Sequence, residues 1–302
     1  MKPLKLSLFF LLSFILPLSA QFDPFAGGED EKSNATKSEM FADVTAIAPG
    51  DSFTVALKLT HAEGWHSYYK NPGYVGDIPE IDWKLPEGFK ASAVQFPIPH
   101  ISQMEYGSGK INTYGYEGTN YFLVEITAPA TLPDSFTLVA MPKWQICDSG
   151  SSCVPEPFPG NELKFELTLK KAAAKTIDAS KTKEFETARA QQPLPLNESD
   201  WQIEAFENNK GIFLILTPQN DNKAVPADLY FYSSDKQTDA QAEQKFIEQD
   251  GKYVLVIPRF VAEEDGLLPA VAKLETISGI VTSADAWKEG QPSHGIKFSI
   301  PL

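Results

Sequence analysis

The stretch Phe53-Thr54-Val55-Ala56-Leu57-Lys58-Leu59 decides the fold class. Large apolar side chains at 53, 55, 57 and 59 alternate with small or polar ones, the two-residue period of a strand with one face in a core. Tyr121-Phe122-Leu123-Val124-Glu125-Ile126 and Leu163-Lys164-Phe165-Glu166-Leu167-Thr168-Leu169 read likewise. Between such runs, Pro72-Gly73, Pro86-Glu87-Gly88 and Pro97-Ile98-Pro99 break the chain at short spacings. That punctuation suits an all-β sandwich and is awkward for a helical or α/β domain.

Outward from this region the chain changes character twice. Residues 21–40 are mostly Gly, Asp, Glu, Ser and Lys without apolar periodicity and are expected to form a flexible arm. Ala172-Ala173-Ala174 and Asp178 to Arg189 lack Gly and Pro and are rich in Ala, Lys and Glu, which predicts a helix. Asp178 or Ser180 would cap its start, and Pro193 with Pro195 would stop it. Beyond it, Gly211 to Leu216, Ala227 to Tyr232, Tyr253 to Ile257 and Ile296 to Ile300 again read as strands. The expected organisation is a first β domain over 41–172, a helical connector over 173–196 and a second β-sandwich-like domain over 197–302.

Residues 1–20 have the form of a signal peptide. Lys2 and Lys5 supply the positive start, Leu6 to Leu16 the apolar stretch, and Leu18-Ser19-Ala20 a small-residue exit. The chain is therefore expected to be exported, most simply to a periplasm, and the mature part to be soluble, since no later run approaches a membrane span. Removing these residues takes away two lysines and no acid, so the net charge of −14 becomes −16. Nucleic acid and anionic membrane surfaces are poor partners for such a chain, because both reward Lys and Arg clusters.

The chain holds two cysteines, Cys147 and Cys153, in Lys143-Trp144-Gln145-Ile146-Cys147-Asp148-Ser149-Gly150-Ser151-Ser152-Cys153-Val154-Pro155-Glu156. They pair with each other, pair with another protein, or stay reduced. Five intervening residues including Gly150 let the chain turn back far enough for a disulfide. In an oxidising compartment a lone pair normally exists as a disulfide unless something reduces it. Such a bond is either a permanent hairpin staple, contributing about 2 kcal/mol in the chain-entropy model, or one that opens and closes.

Three segments carry a more specific signal: Gly64-Trp65-His66-Ser67-Tyr68-Tyr69-Lys70-Asn71-Pro72-Gly73-Tyr74-Val75-Gly76, then Tyr114-Gly115-Tyr116-Glu117-Gly118, then Trp144 through Glu156. Together they resemble the exported amino-terminal domain family of the thiol:disulfide interchange protein DsbD, especially its ScsB-like branch. The resemblance spans roughly Phe41 to Leu169 and extends more weakly to the carboxyl terminus. It implies an immunoglobulin-like β-sandwich whose Cys147 and Cys153 alternate between dithiol and disulfide. Such domains take electrons from a membrane-embedded partner and pass them to exported thiol-disulfide clients through mixed disulfides.

The same resemblance places two ring-bearing positions beside the cysteines, His66 and Tyr68, which lie two apart and so share a strand face. His66 departs from the tyrosine of better-known members, and a half-buried packing role is the alternative for both. Ser102-Gln103-Met104-Glu105-Tyr106-Gly107-Ser108-Gly109 falls where relatives carry a loop that caps the pair. The usual cap phenylalanine is not evident here, so Tyr106 or Met104 could cover the pair with Glu105 as a nearby carboxylate; an ordinary hairpin tip is the alternative.

No cofactor or metal is expected. His61 and His66 are five apart, on opposite strand faces, and no carboxylate spacing completes a zinc site. Gly107-Ser108-Gly109-Lys110 lacks phosphate-loop spacing, and no Gly-x-Ser-x-Gly suggests a hydrolase. The sequence shows neither a spanning conduit nor a Cys-x-x-Cys, so the reductant is expected to be a separate protein. The rival class is a non-catalytic β-sandwich binding or scaffold protein with a structural disulfide.

Overall fold

A computed structural model describes residues 35–150, 152–259 and 274–302. The signal peptide and most of the arm expected over 21–40 lie outside these residues. The arm's last residues do not: strand pairing begins at Thr36, where Thr36 to Ala42 run antiparallel to Val55 to His61. Met40, Phe41 and Ala42 are buried by that pairing, so strand structure reaches into the last residues of the stretch read as an arm.

The first domain carries β1 (Thr36–Ala42), β2 (Val44–Ile47), β3 (Ser52–His61), β4 (Trp65–Tyr68), β5 (Glu80–Lys84), β6 (Lys90–Ala91) and β7 (His100–Tyr106). It continues with β8 (Gly109–Tyr116), β9 (Thr119–Thr127), β10 (Ser135–Asp148), β11 (Cys153–Glu156), β12 (Phe165–Lys171) and β13 (Thr176–Ile177). One sheet runs in the order β1-β3-β9-β6, and the other β13-β2-β12-β10-β4-β8-β7, with β5 and β11 also paired to β10. The two inner faces meet in one core. Val55, Leu57 and Leu59 of β3, with Phe122, Val124 and Ile126 of β9, pack against Leu138, Ala140, Trp144 and Ile146 of β10. The fold is mainly β and immunoglobulin-like, as expected.

β10 positions the site. Phe136, Leu138, Ala140, Trp144 and Ile146 all point into the core, and the two-residue period then turns Cys147 to the outer face of the sheet. A residue there is ordinarily half-exposed, yet Cys147 is fully buried. Another part of the fold therefore covers it.

The connector is shorter in helix than its composition predicts. Helix α1 spans Thr182–Ala190 after a 3-10 turn over Ala179–Lys181, which Asp178 caps by accepting a hydrogen bond from Ser180 N. Ala172 to Ala174 are not helical: Ala172 N donates to Ile47 O, Ala173 and Ala174 form a bend, and Thr176–Ile177 then pair with β2. Phe185 and Ala188, three apart on one helix face, bury themselves against Phe41, Ala56, Tyr121 and Leu123. The helix thus seals the outer face of the first sheet and is no free tether.

Among the described residues the second domain is a pair of four-stranded sheets, β14-β21-β20-β17 and β15-β16-β19-β18. These are β14 (Leu194–Pro195), β15 (Trp201–Asn208), β16 (Gly211–Pro218), β17 (Tyr230–Ser233), β18 (Lys245–Gln249), β19 (Lys252–Ile257), β20 (Thr276–Thr282) and β21 (Gly295–Pro301). Their shared core includes Trp201, Leu214, Phe231, Leu255 and Trp287. The Trp201 indole donates to Trp287 O at 2.8 Å, which satisfies a polar group that burial would otherwise penalise.

Candidate functional site

Cys147 and Cys153 face each other across the hairpin β10–β11 and are joined by a disulfide with Cα atoms 4.1 Å apart. The next pair out, Asp148 and Ser152, is hydrogen-bonded through Asp148 N and Ser152 O at 2.9 Å. The cysteines therefore occupy a non-hydrogen-bonded pair, the ladder position where facing residues approach most closely. Asp148 uses its carboxylate on the turn itself: Oδ1 accepts from Gly150 N at 2.9 Å and Ser152 N at 2.8 Å.

The flanking motif residues form the pair three steps further in. Trp144 and Glu156 are cross-strand partners, and the Trp144 indole donates to Glu156 Oε2 at 2.8 Å. Burial raises the Glu156 carboxyl to about 6, against its hydrogen bonds with Thr36 and Trp144. The sequence Trp-x-x-Cys... Cys-x-x-Glu is thus one ladder read twice, once on each strand.

His66 on β4 is paired in register with Cys147. Tyr68, two residues on, shares that outer face and is fully buried with Met104 and Cys147 in a cluster apart from the sandwich core. Its hydroxyl donates to Met104 Sδ at 3.7 Å, and burial raises the phenol above its ordinary pKa. The His66 and Tyr68 rings meet edge-on at 5.2 Å. His66 is buried, and its Nε2 finds no hydrogen-bond partner among the described residues. Burial lowers its pKa, with His100 lowering it further and Glu117 and Asp148 opposing.

The cover is the hairpin β7–β8, where the segment 102–109 folds over the pair. Met104 supplies the buried side chain, and Glu105 N donates to Ser149 O at 3.1 Å, tying the hairpin to the cysteine turn. Tyr106 stays half-exposed and meets Tyr74 edge-on at 5.6 Å. The Glu105 carboxylate does not face the disulfide; it is exposed and reaches Lys110 at 3.7 Å. Alternation along β7 puts it opposite Met104 and Tyr106.

A cavity of about 430 Å³ opens over Cys153, walled by Met104, Tyr106 and Gly107 on one side and Val75, Gly76 and Asp77 on the other. Cys153 is partly exposed, whereas Cys147 is sealed. The structure brings together Cys147, Cys153, His66, Tyr68 and Tyr106. It also adds Asp77, just past the first motif segment, and gives Gly76 and Gln145, quoted within the segments but assigned no role there, a place in the cavity wall. Gln145 lies two before Cys147 on the same face, and its Oε1 accepts from Asp77 N at 3.0 Å. Gly76 has φ +133°, and a Cβ there would sit 2.6 Å from the Tyr68 ring. Gly115, in the second motif segment, is needed where β8 meets β4, since its Cβ would lie 2.2 Å from Ser67 O.

An immunoglobulin-like sandwich with a hairpin-covered cysteine pair on one outer sheet face is the class that fold and site define. Residues 35–158 match the family model described as thiol:disulfide interchange protein DsbD, N-terminal, and form a DsbD N-terminal-like domain. The structure is similar to the N-terminal periplasmic domain of ScsB from Proteus mirabilis, with a TM-score of 0.59 at 15% identity, covering 90% of this chain and 95% of that one. That likeness takes in both β domains and the connector, and it concerns the fold. A cohesin module from a Clostridium perfringens family 33 glycoside hydrolase aligns with 45% of this chain and 99% of its own, at 12% identity and a TM-score of 0.28. No curated protein matches the chain.

Proposed function

We propose that this protein is an exported thiol-disulfide exchange protein that relays reducing equivalents through the Cys147/Cys153 pair. The observation that carries the reading is the asymmetry of the two sulfurs: Cys147 is sealed under the hairpin, while Cys153 borders an open cavity. Exchange needs one sulfur that an incoming thiolate can reach and a second that leaves.

The steps follow from that asymmetry. A donor thiolate attacks Cys153 Sγ, the Cys147–Cys153 bond breaks, and its electron pair leaves on Cys147 Sγ, which takes a proton. The donor's second thiolate then attacks its own sulfur in the mixed disulfide and releases Cys153. The donor dithiol ends as a disulfide and this pair as two thiols. Against a client disulfide the roles reverse: Cys153 attacks, and Cys147 resolves the mixed disulfide.

The membrane-embedded donor and exported clients belong to the same reading, supported by the family match and by the signal-like residues 1–20. Among the described residues no helix is long and apolar enough to cross a membrane. The ScsB domain is described as periplasmic, which supports that compartment.

Trapping tests the relay. Cys147→Ser leaves the reachable sulfur without its resolving partner and is expected to accumulate defined mixed disulfides through Cys153 in an exporting cell. Cys153→Ser, with its remaining sulfur buried, is expected to trap far less. If neither variant captures a partner, the pair is a structural staple in a scaffold or binding protein.

A further inference from the structure

Both walls of the cavity over Cys153 are anchored in the second domain. Strand β8 pairs with β4 only at Gly115 and Tyr116. Past that point its edge bonds to the loop instead, with Tyr69 N donating to Tyr114 O and Tyr114 N to Pro72 O. At Asn112 the edge would be left open, and an unpaired strand edge must find partners elsewhere.

Gln241 of the second domain supplies them. Its Oε1 accepts from Asn112 N at 2.7 Å and its Nε2 donates to Asn112 O at 2.9 Å, so one side-chain amide stands in for a neighbouring strand. Asn112 Nδ2 also donates to Ala240 O at 3.1 Å, while its Oδ1 accepts from Gln103 Nε2 at 3.0 Å. This chain of bonds runs from the second domain across both strands of the hairpin, ending beside Met104.

The opposite wall is held the same way. Asn71, at the start of the loop that reaches Gly76 and Asp77, donates from Nδ2 to Ser233 O at 3.1 Å and to Asp235 O. Tyr114 and Tyr230 hydroxyls meet at 3.0 Å between the two anchors.

We propose that the second domain braces the hairpin β7–β8 and the loop 70–77 and so sets how readily a thiol reaches Cys153, with Gln241 and Asn71 as positioning residues. The proposal rests on the exchange reading for its purpose. Its test does not, because a small thiol replaces the biological donor.

The full chain and its Gln241→Ala, Asn71→Ala and Gln249→Ala variants are reduced with dithiothreitol under second-order conditions. Hydrogen exchange of residues 103–112 is followed in parallel. Gln249 lies exposed on β18 and makes neither tie, so its variant is the control for a second-domain substitution that leaves both anchors in place. Gln241→Ala and Asn71→Ala are each expected to be reduced about five-fold faster, as the loss of one or two ordinary hydrogen bonds gives, with faster exchange over 103–112 and Gln249→Ala unchanged. The brace is overturned if the two anchor variants keep the parent rate, or if Gln249→Ala accelerates equally. Failure of the exchange reading shows instead as a missing mixed disulfide and leaves these rate ratios untouched.

Discussion

His66 stands directly across the sheet from Cys147, in register on the adjacent strand, with a buried ring whose Nε2 has no hydrogen-bond partner among the described residues. Facing residues in an antiparallel ladder hold their β-carbons about 5 Å apart. Burial lowers the His66 pKa, with His100 in the same direction and Glu117 and Asp148 against it, so the imidazole is neutral at pH 7. When the disulfide opens, the sulfur that leaves is Cys147, and a neutral imidazole can donate an N–H to the nascent thiolate. His66→Phe keeps the ring packing and removes that donor. Reduction by dithiothreitol at pH 7 is expected to slow roughly tenfold, the lower end for a hydrogen bond to a charged group. An unchanged rate would leave His66 a packing residue.

Trp144 and Glu156 give a pH signature. The Glu156 carboxyl holds its proton to about 6 in the fold, against an ordinary 4.5. Its raised pKa contributes stability that is full below 4.5 and lost as pH rises through 6, up to about 2 kcal/mol. His61 works the other way. Burial lowers it to about 4 from 6.5, so its contribution is present above 6.5 and lost as pH falls through 4. Between pH 4.5 and 6 the two oppose. Glu156→Gln, which can still accept from the indole, removes the compensating part. Its urea-unfolding stability is expected to fall more steeply from pH 6 to 4.5 than the parent's; an identical slope would contradict the assignment.

Gly76 is the tight point of the second wall. Alanine there meets the Tyr68 ring at 2.6 Å and adopts a φ of +133° that L residues rarely hold. Strain and overpacking together are expected to cost about 2–4 kcal/mol. The denaturant midpoint measures the loss, and a tryptic cut appearing between 70 and 77 would locate it in the loop.

Opening the disulfide is expected to leave the domain folded. The main core from Val55 to Ile146 is built without either sulfur, and closing so short a loop contributes about 2 kcal/mol. The Cys147→Ser/Cys153→Ser double variant is expected to unfold cooperatively at a modestly lower denaturant midpoint. Loss of the fold would mark the bond as a staple.

The strand period made the fold legible at β3, β9 and β12 and at β16, β19 and β21, although α1 buries the second face of β9 as well. β10 escaped that reading because Pro142 interrupts it and proline breaks an internal ladder. Here Pro142 lies opposite Ile81 of β5, and the strand continues past it to Cys147. The expected helix shrank because β2 claims the chain on both sides of Ala173-Ala174, through Ala172 N to Ile47 O and the pairing of Thr176–Ile177, against the alanines' own propensity. Within the site, Cys147, Cys153, His66 and Tyr68 could be placed from motif and period. Glu105 could not, since one residue of register in a hairpin decides which face a side chain takes. The ties from Gln241 and Asn71 join residues more than 100 positions apart through single side chains, and no local pattern encodes them.

The equilibrium between the Cys147/Cys153 disulfide and a graded glutathione or dithiothreitol buffer tests the central claim most directly. A relay is expected to show a midpoint between roughly −150 and −280 mV, within reach of ordinary exchange proteins. A midpoint well below about −300 mV, the range of structural disulfides, would contradict it.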